Sequence, residues 1–193
     1  ISGDKNIYMG PHAGRNQCSG NSNIALGDCA MLGSGTFSDA TAKCNIAIGI
    51  DALCSINEGC RNIAIGEGAG KAITNSNNSI LIGRDAGKSL TASQNNVYIG
   101  AEAGKSDTDG QANVFIGCCT GYLFDGGSHN VIIGATSGVA FTNGDDPIGV
   151  ISIGASNLNE STQSGCVIAI GRAAANKGTD HRHSIIMGFC AAF

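Results

Sequence analysis

The feature that most restricts what this chain can become is the spacing of glycines at the end of a short aliphatic motif. Gly10, Gly27, Gly49, Gly66, Gly83, Gly100, Gly117, Gly134, Gly154, Gly171 and Gly188 close eleven copies of it, of which Asn62-Ile63-Ala64-Ile65-Gly66 is typical. Eight of the ten intervals are 17 residues, and the other two, 22 and 20, read as insertions of five and three residues. A period held this steadily marks tandem units that stack on one another. Because it runs without a break, residues 1–193 are read as one repetitive domain.

Three positions before each glycine, and again one position before it, every unit carries an aliphatic residue or Met, as in Ile63 and Ile65 or Val97 and Ile99. Apolar residues two apart predict one short strand per unit with that pair facing a core. A weaker apolar position falls seven residues after the glycine at Ile56, Ile73, Leu90, Phe124 and Phe141, and Asp107 and Gly178 interrupt it. A unit of 17 residues has no room for a crossover helix and shows no helical period. The expected fold is therefore all-β, a parallel β-solenoid or β-roll of about eleven coils. At an inter-strand spacing of about 4.8 Å, eleven coils make a rod of roughly 50 Å. The insertions around Thr36-Phe37-Ser38-Asp39 and Asp145-Asp146-Pro147 are expected to bulge out as loops.

Asn precedes the strand in seven units, at Asn6, Asn23, Asn45, Asn62, Asn96, Asn113 and Asn130. Stacked amides of this kind can bond from coil to coil as a ladder. The last three units have Val150, Val167 and Ser184 instead, where the ladder should stop. With the aliphatic pair assigned inward, the residue between them is expected to face outward. Leu81, Tyr98, Phe115 and Ile132 would then form an apolar stripe on four consecutive coils, read as the interface of a side-by-side homotrimer.

Composition narrows the function. Charged residues make up 13% of the chain and the net charge is -4, which gives no footprint for nucleic acid. The apolar runs, such as Val131-Ile132-Ile133, are far shorter than the roughly 20 residues of a spanning helix, so no membrane insertion is expected. Nine cysteines without a Cys-x-x-Cys pair are read as small apolar residues packed inside the solenoid. Cys44 and Cys60 are the best candidates for a disulfide, whereas the adjacent Cys118 and Cys119 are poor partners for each other.

The motifs Asn45-Ile46-Ala47-Ile48-Gly49 and Asn62 to Gly66 resemble the Asn-Ser-Val-Ala-Ile-Gly repeats of trimeric autotransporter adhesin heads and the Asn-x-Ala-Ile-Gly arrays of phage tail fibres. The likeness covers all eleven units, while the 17-residue spacing and the many cysteines depart from the adhesin heads and lean towards the fibre arrays. It implies three chains wound side by side with the motif strands towards a three-fold axis, in an extracellular, cell-surface or virion fibre that attaches to a host surface.

Asp107 with Asp109, Asp145 with Asp146, and Asp125 are the carboxylates that a glycan-cleaving β-helix would use, but all five fall in expected turns, where Asp is favoured for backbone reasons. His181 and His183 flank Arg182 and lack a third ligand. No catalytic, metal or cofactor-binding residue is assigned, and the chain is read as no enzyme. Lys71, Lys88 and Lys105 share one position in three consecutive coils and are the candidates for contact with an acidic glycan. With Glu67, Asp85 and Glu102 upstream, a solvated charge ladder is the preferred reading. Thr74, Thr91, Thr108, Thr142, Thr162 and Thr179 form one interrupted column, too irregular for an ice-facing surface.

The expected function is a structural attachment fibre whose partners are copies of itself and a surface glycan or receptor. A glycan-cleaving β-helix ranks second and an extracellular matrix or filament-forming solenoid third. Both ends look cut in mid-repeat, so a segment of a longer rod, or end-to-end stacking into a filament, is expected.

Overall fold

A computed structural model describes residues 3–34, 40–139, 148–158, 160–161, 165–178, 181 and 183–191. Each motif forms a three-residue strand: Ile7–Met9 (β1), Ile24–Leu26 (β2), Ile46–Ile48 (β3), Ile63–Ile65 (β4), Ile80–Ile82 (β5), Val97–Ile99 (β6), Val114–Ile116 (β7), Val131–Ile133 (β8), Ile151–Ile153 (β9), Ile168–Ile170 (β11) and Ile185–Met187 (β13). They pair in chain order as one parallel sheet of eleven strands, while Glu160–Ser161 (β10) and Lys177–Gly178 (β12) form a small parallel pair of their own. This is the β-solenoid of about 17 residues per coil that the glycine period implies.

Register is strict. Ala64 pairs with Leu81, Leu81 with Tyr98, Tyr98 with Phe115 and Phe115 with Ile132, so equivalent residues stack throughout. The two insertions leave it intact, since Leu26 still meets Ile48 and Ile133 still meets Ile153. Thr36 to Asp39 and Asp145 to Pro147 lie outside the described residues, as do Phe141, Thr142, Thr162, Thr179 and Arg182.

The glycine that ends each strand is required twice over. Gly66 has φ +129, a region that L side chains rarely adopt, and a Cβ there would lie 2.6 Å from the carbonyl of Gly83 on the next coil. The same conflict recurs along the column, as at Gly100 with φ +136 and 2.4 Å to the Gly117 oxygen.

The facing of the strands is the reverse of the expected one. Ala25, Ala47, Ala64, Leu81, Tyr98, Phe115, Ile132, Ser152 and Ala169, the middle residues, are fully buried, and the flanking aliphatics look outward. Leu81, Tyr98, Phe115 and Ile132 are therefore core, not a trimer interface. The physical reason lies in the period of two: Asn62 is interior at 0% exposure, and Ala64, two residues on, must share its face. Inside, Tyr98 and Phe115 stack with centroids 4.7 Å apart and planes at 6°, and Phe124 meets Phe115 edge-on at 4.9 Å.

The position seven after the glycine also points inward, at Gln17, Ile56, Ile73, Leu90, Asp107 and Phe124, but in these six coils it lies outside any strand, and among the described residues only in two late coils does it fall on one, at Ser161 of β10 and Gly178 of β12. A second ladder forms instead just before the Asn position, through isolated bridges such as Cys60 to Asn77 and Asn77 to Gln94.

Candidate functional site

The outer sheet face is the broadest candidate surface. Its two columns hold Ile63 and Ile65, Ile80 and Ile82, Val97 and Ile99, Val114 and Ile116, and Val131 and Ile133 in the central coils, all half-buried beside one another. Towards the described ends exposure rises, to 65% at Met9 and 71% at Ile185. Strands of three residues make this strip about 10 Å wide, and eleven of them about 50 Å long, or roughly 500 Å² in plan. A continuous apolar patch of that size matches the largest found on ordinary monomers, which are often functional.

The Asn ladder is present and its chemistry is structural. Asn62 donates through Nδ2 to the Ser76 carbonyl at 2.7 Å, and its Oδ1 accepts the Ser79 backbone N–H at 3.0 Å. Asn45, Asn96 and Asn113 repeat both bonds. At Ser79 the hydroxyl takes the acceptor role, receiving Asn96 N–H at 3.3 Å. The last rung is Asn130, whose Oδ1 accepts Val150 N–H at 2.9 Å, and the ladder stops where Asn gives way to Val150. Each amide satisfies backbone groups that the narrow coil hides from water.

The basic column is real but neutralised. Lys71 Nζ lies 2.9 Å from Asp51, Lys88 3.0 Å from Asp85, and Lys105 3.4 Å from Glu102 and 3.7 Å from Asp85. Arg84 joins the same network at 2.8 Å from Glu102. The hydrogen bond and charge of Asp51 raise the Lys71 pKa, which keeps that pair ionised. Every lysine of the expected glycan column thus already has a carboxylate partner, as a charge ladder requires.

Among the acidic candidates, Asp145 and Asp146 lie outside the described residues. Asp107, Asp109 and Asp125 do meet, with carboxylate oxygens within 4.8 Å of one another. Asp107 is not the turn residue the sequence suggested. It is fully buried, accepts the Tyr98 hydroxyl hydrogen bond, and receives the backbone N–H of Gly110 at 2.9 Å and of Gly126 at 3.2 Å. Burial raises its pKa to about 6, with the three donors pulling the other way. Asp125 is occupied at the surface by the Thr108 hydroxyl at 2.7 Å. Thr74 and Thr91 likewise turn their hydroxyls to carbonyls of the next coil, at 3.3 Å and 3.1 Å. His181 is buried and His183 exposed.

The cysteines overturn a further expectation. None of the nine is buried, none is in a disulfide, and Cys60 stands opposite Lys43 with its thiol 2.9 Å from Asn77 Oδ1. The cause is local geometry. Cys29, Cys119 and Cys190, two residues past a strand-ending glycine, and Cys44 and Cys166, one residue before the Asn column, occupy left-handed corners with φ between 47 and 58, and none of these five side chains is buried. The Cys118 and Cys119 sulfurs lie 3.3 Å apart as a thiol–thiol hydrogen bond, with no disulfide between them.

No family model, curated protein or solved structure matches the chain.

Proposed function

We propose that this chain is the shaft of a structural attachment fibre, extracellular or on a virion, in which three parallel copies pack their outer sheet faces against one another. The observation that carries the reading is the uniformity of that face: both outward columns are Ile, Val, Leu or Met on all eleven strands. A solvated sheet face alternates apolar-in with polar-out, whereas one apolar on both sides is a covered one. The interface moves from Leu81, Tyr98, Phe115 and Ile132 to the columns beside them, and the three-fold arrangement follows the likeness to adhesin heads and tail fibres. The role is mechanical, without catalysis, and the remaining coil surfaces are those offered to a host glycan or receptor.

Light scattering of the purified chain, combined with electron microscopy, tests this. A mass of three chains in a rod-shaped particle supports the fibre. A monomeric mass at micromolar concentration removes it. New reducing ends or unsaturated products on a glycan panel, lost on Asp107→Asn, would favour a polysaccharide-cleaving solenoid instead.

A further inference from the structure

Near the N-terminal end, one corner column brings together three side chains that the fibre reading does not use. His12 and Cys29 each stand two residues past a strand-ending glycine on consecutive coils, in left-handed conformations with φ 57 and 53. The Cys29 N–H to Pro11 carbonyl bond of 3.0 Å ties the two coils together at this corner. Asp28 sits between them. Its Oδ1 is 3.5 Å from His12 Nδ1 and 3.3 Å from Cys29 Sγ, and ligand atoms of all three lie within 4.8 Å of one another.

These distances have a chemical meaning. An ion bound tetrahedrally at 2.0 to 2.3 Å holds its ligand atoms about 3.3 to 3.8 Å apart. Two of the three edges already have that length. The donor set of imidazole nitrogen, thiolate and carboxylate is the mixed N, S, O set that zinc accepts, whereas magnesium and calcium require oxygen alone. The other corner positions of the column do not reproduce it: the equivalent residues on the next coils are Asp51, Gly68, Asp85 and Glu102. Asp51, one coil further, adds negative field, with Lys71 held to its outer oxygen at 2.9 Å.

We propose that His12, Asp28 and Cys29 form a binding site for a zinc-class divalent ion, with water in the fourth position. Binding releases the Cys29 thiol proton to solvent, and the thiolate, the Asp28 carboxylate and the His12 lone pair take up the ion. The site clamps the first two coils, at the end of the sheet where Ile7 and Met9 of the outer face are exposed.

Titration of the reduced chain with Co²⁺ reads the site directly. One equivalent should develop the visible bands of tetrahedral cobalt together with a thiolate-to-cobalt charge-transfer band, and Zn²⁺ should displace it. Cys29→Ser and His12→Gln should each weaken Co²⁺ at least tenfold while leaving the circular dichroism unchanged, because both side chains are at the surface. A Cys118→Ser/Cys119→Ser variant should bind as the parent does. Absence of the bands overturns the proposal. So do bands that survive Cys29→Ser with His12→Gln, or that vanish with Cys118→Ser/Cys119→Ser, since other thiols would then be holding the metal.

Discussion

The inner and outer faces of the sheet share every strand, yet they vary in opposite ways. Inside, the middle residue ranges from Ala47 through Leu81 to Tyr98 and Phe115 and back to Ser152. Outside, two columns of aliphatics hardly change. The inner variation is matched across the coil: where the strand residue is large, at Leu81, Tyr98 and Phe115, the position four past the glycine is Gly87, Gly104 or Gly121. Where it is small, at Ala25, Ala47 and Ser152, that position is Met31, Leu53 or Leu158, all fully buried. In these six coils large and small trade places within the coil; where both positions are small, at Ala64 with Gly70, the side chains of Leu53 and Leu81 on the adjacent coils reach the space instead, so close packing is met by local agreement. The outer face has no such local partner, and its regularity is the feature on which the proposed packing of copies rests.

The sharpest way to break this comparison is a charge on the inner face. Phe115→Asp places a carboxylate between Tyr98 and Phe124, in a site with no donor left to receive it. The expected cost is about 5 kcal/mol or more, combining lost burial with an unpaired buried charge. Thermal unfolding should show the variant largely unfolded at temperatures where the parent is intact. A midpoint within a few degrees of the parent would mean Phe115 is not core.

The repeat, the strand in each unit, the parallel stacking and the Asn ladder were all legible in the sequence, because a 17-residue period leaves few alternatives. The facing of the strands was also encoded, but in two signals easily overlooked. One is parity, since Asn62 and Ala64 must share a face. The other is the reciprocal sizes of Tyr98 with Gly104 and of Ala47 with Leu53. Apolar character misled because both faces of the strand are apolar, so hydrophobicity could not choose between them. Asp107 was illegible for a related reason: in a turn-rich segment Asp looks like a turn residue, and only its position seven past Gly100, in line with Leu90 and Phe124, marks it as interior.

The matching of sizes can be tested next. Gly104 has φ +58, and a Cβ there would lie 2.4 Å from the Tyr98 ring. Tyr98→Ala alone should cost about 3 to 5 kcal/mol by opening a cavity. Gly104→Leu alone should be comparably damaging through overlap with the ring. Leu53 and Leu158 already tolerate this corner at φ 50. The double variant should therefore recover at least half of the summed loss, measured as the coupling energy of a double-mutant cycle. Additive losses would show that the volumes are not shared.

A smaller effect comes from the polar member of the inner face. Because burial raises Asp107 to about 6, the folded chain keeps this proton to a higher pH than the unfolded chain does. Stability is then greatest with the group protonated, falls as pH rises from about 4 to about 6, and levels off above. A shift of roughly two units corresponds to about 3 kcal/mol. Asp107→Asn keeps the acceptor for Gly110 and Gly126 and should flatten that part of the stability profile. Denaturant unfolding of both proteins across pH 4 to 8 measures it, and parallel profiles would show that Asp107 ionises as an ordinary exposed carboxylate.

The smallest cost in chain stability should come from the residue next to the one with the largest. Ile116 follows Phe115 in β7 but points outward, where its side chain is only half-buried. Ile116→Asp leaves the coil interior untouched, and its carboxylate can reach water on an isolated chain, so the expected loss is about 1 kcal/mol or less. In a fibre of three copies the same substitution places carboxylates on a strip that the neighbouring copies cover. There they would be desolvated together, with no cation among the adjacent aliphatics Ile99 and Ile133. Light scattering should then give a folded monomer where the parent gives a trimer. Two adjacent residues, one strand and the same substitution thus separate folding from assembly. If Ile116→Asp unfolds the chain as Phe115→Asp does, the outer column is part of the core. If it changes neither stability nor mass, the outer face is not the surface by which copies meet.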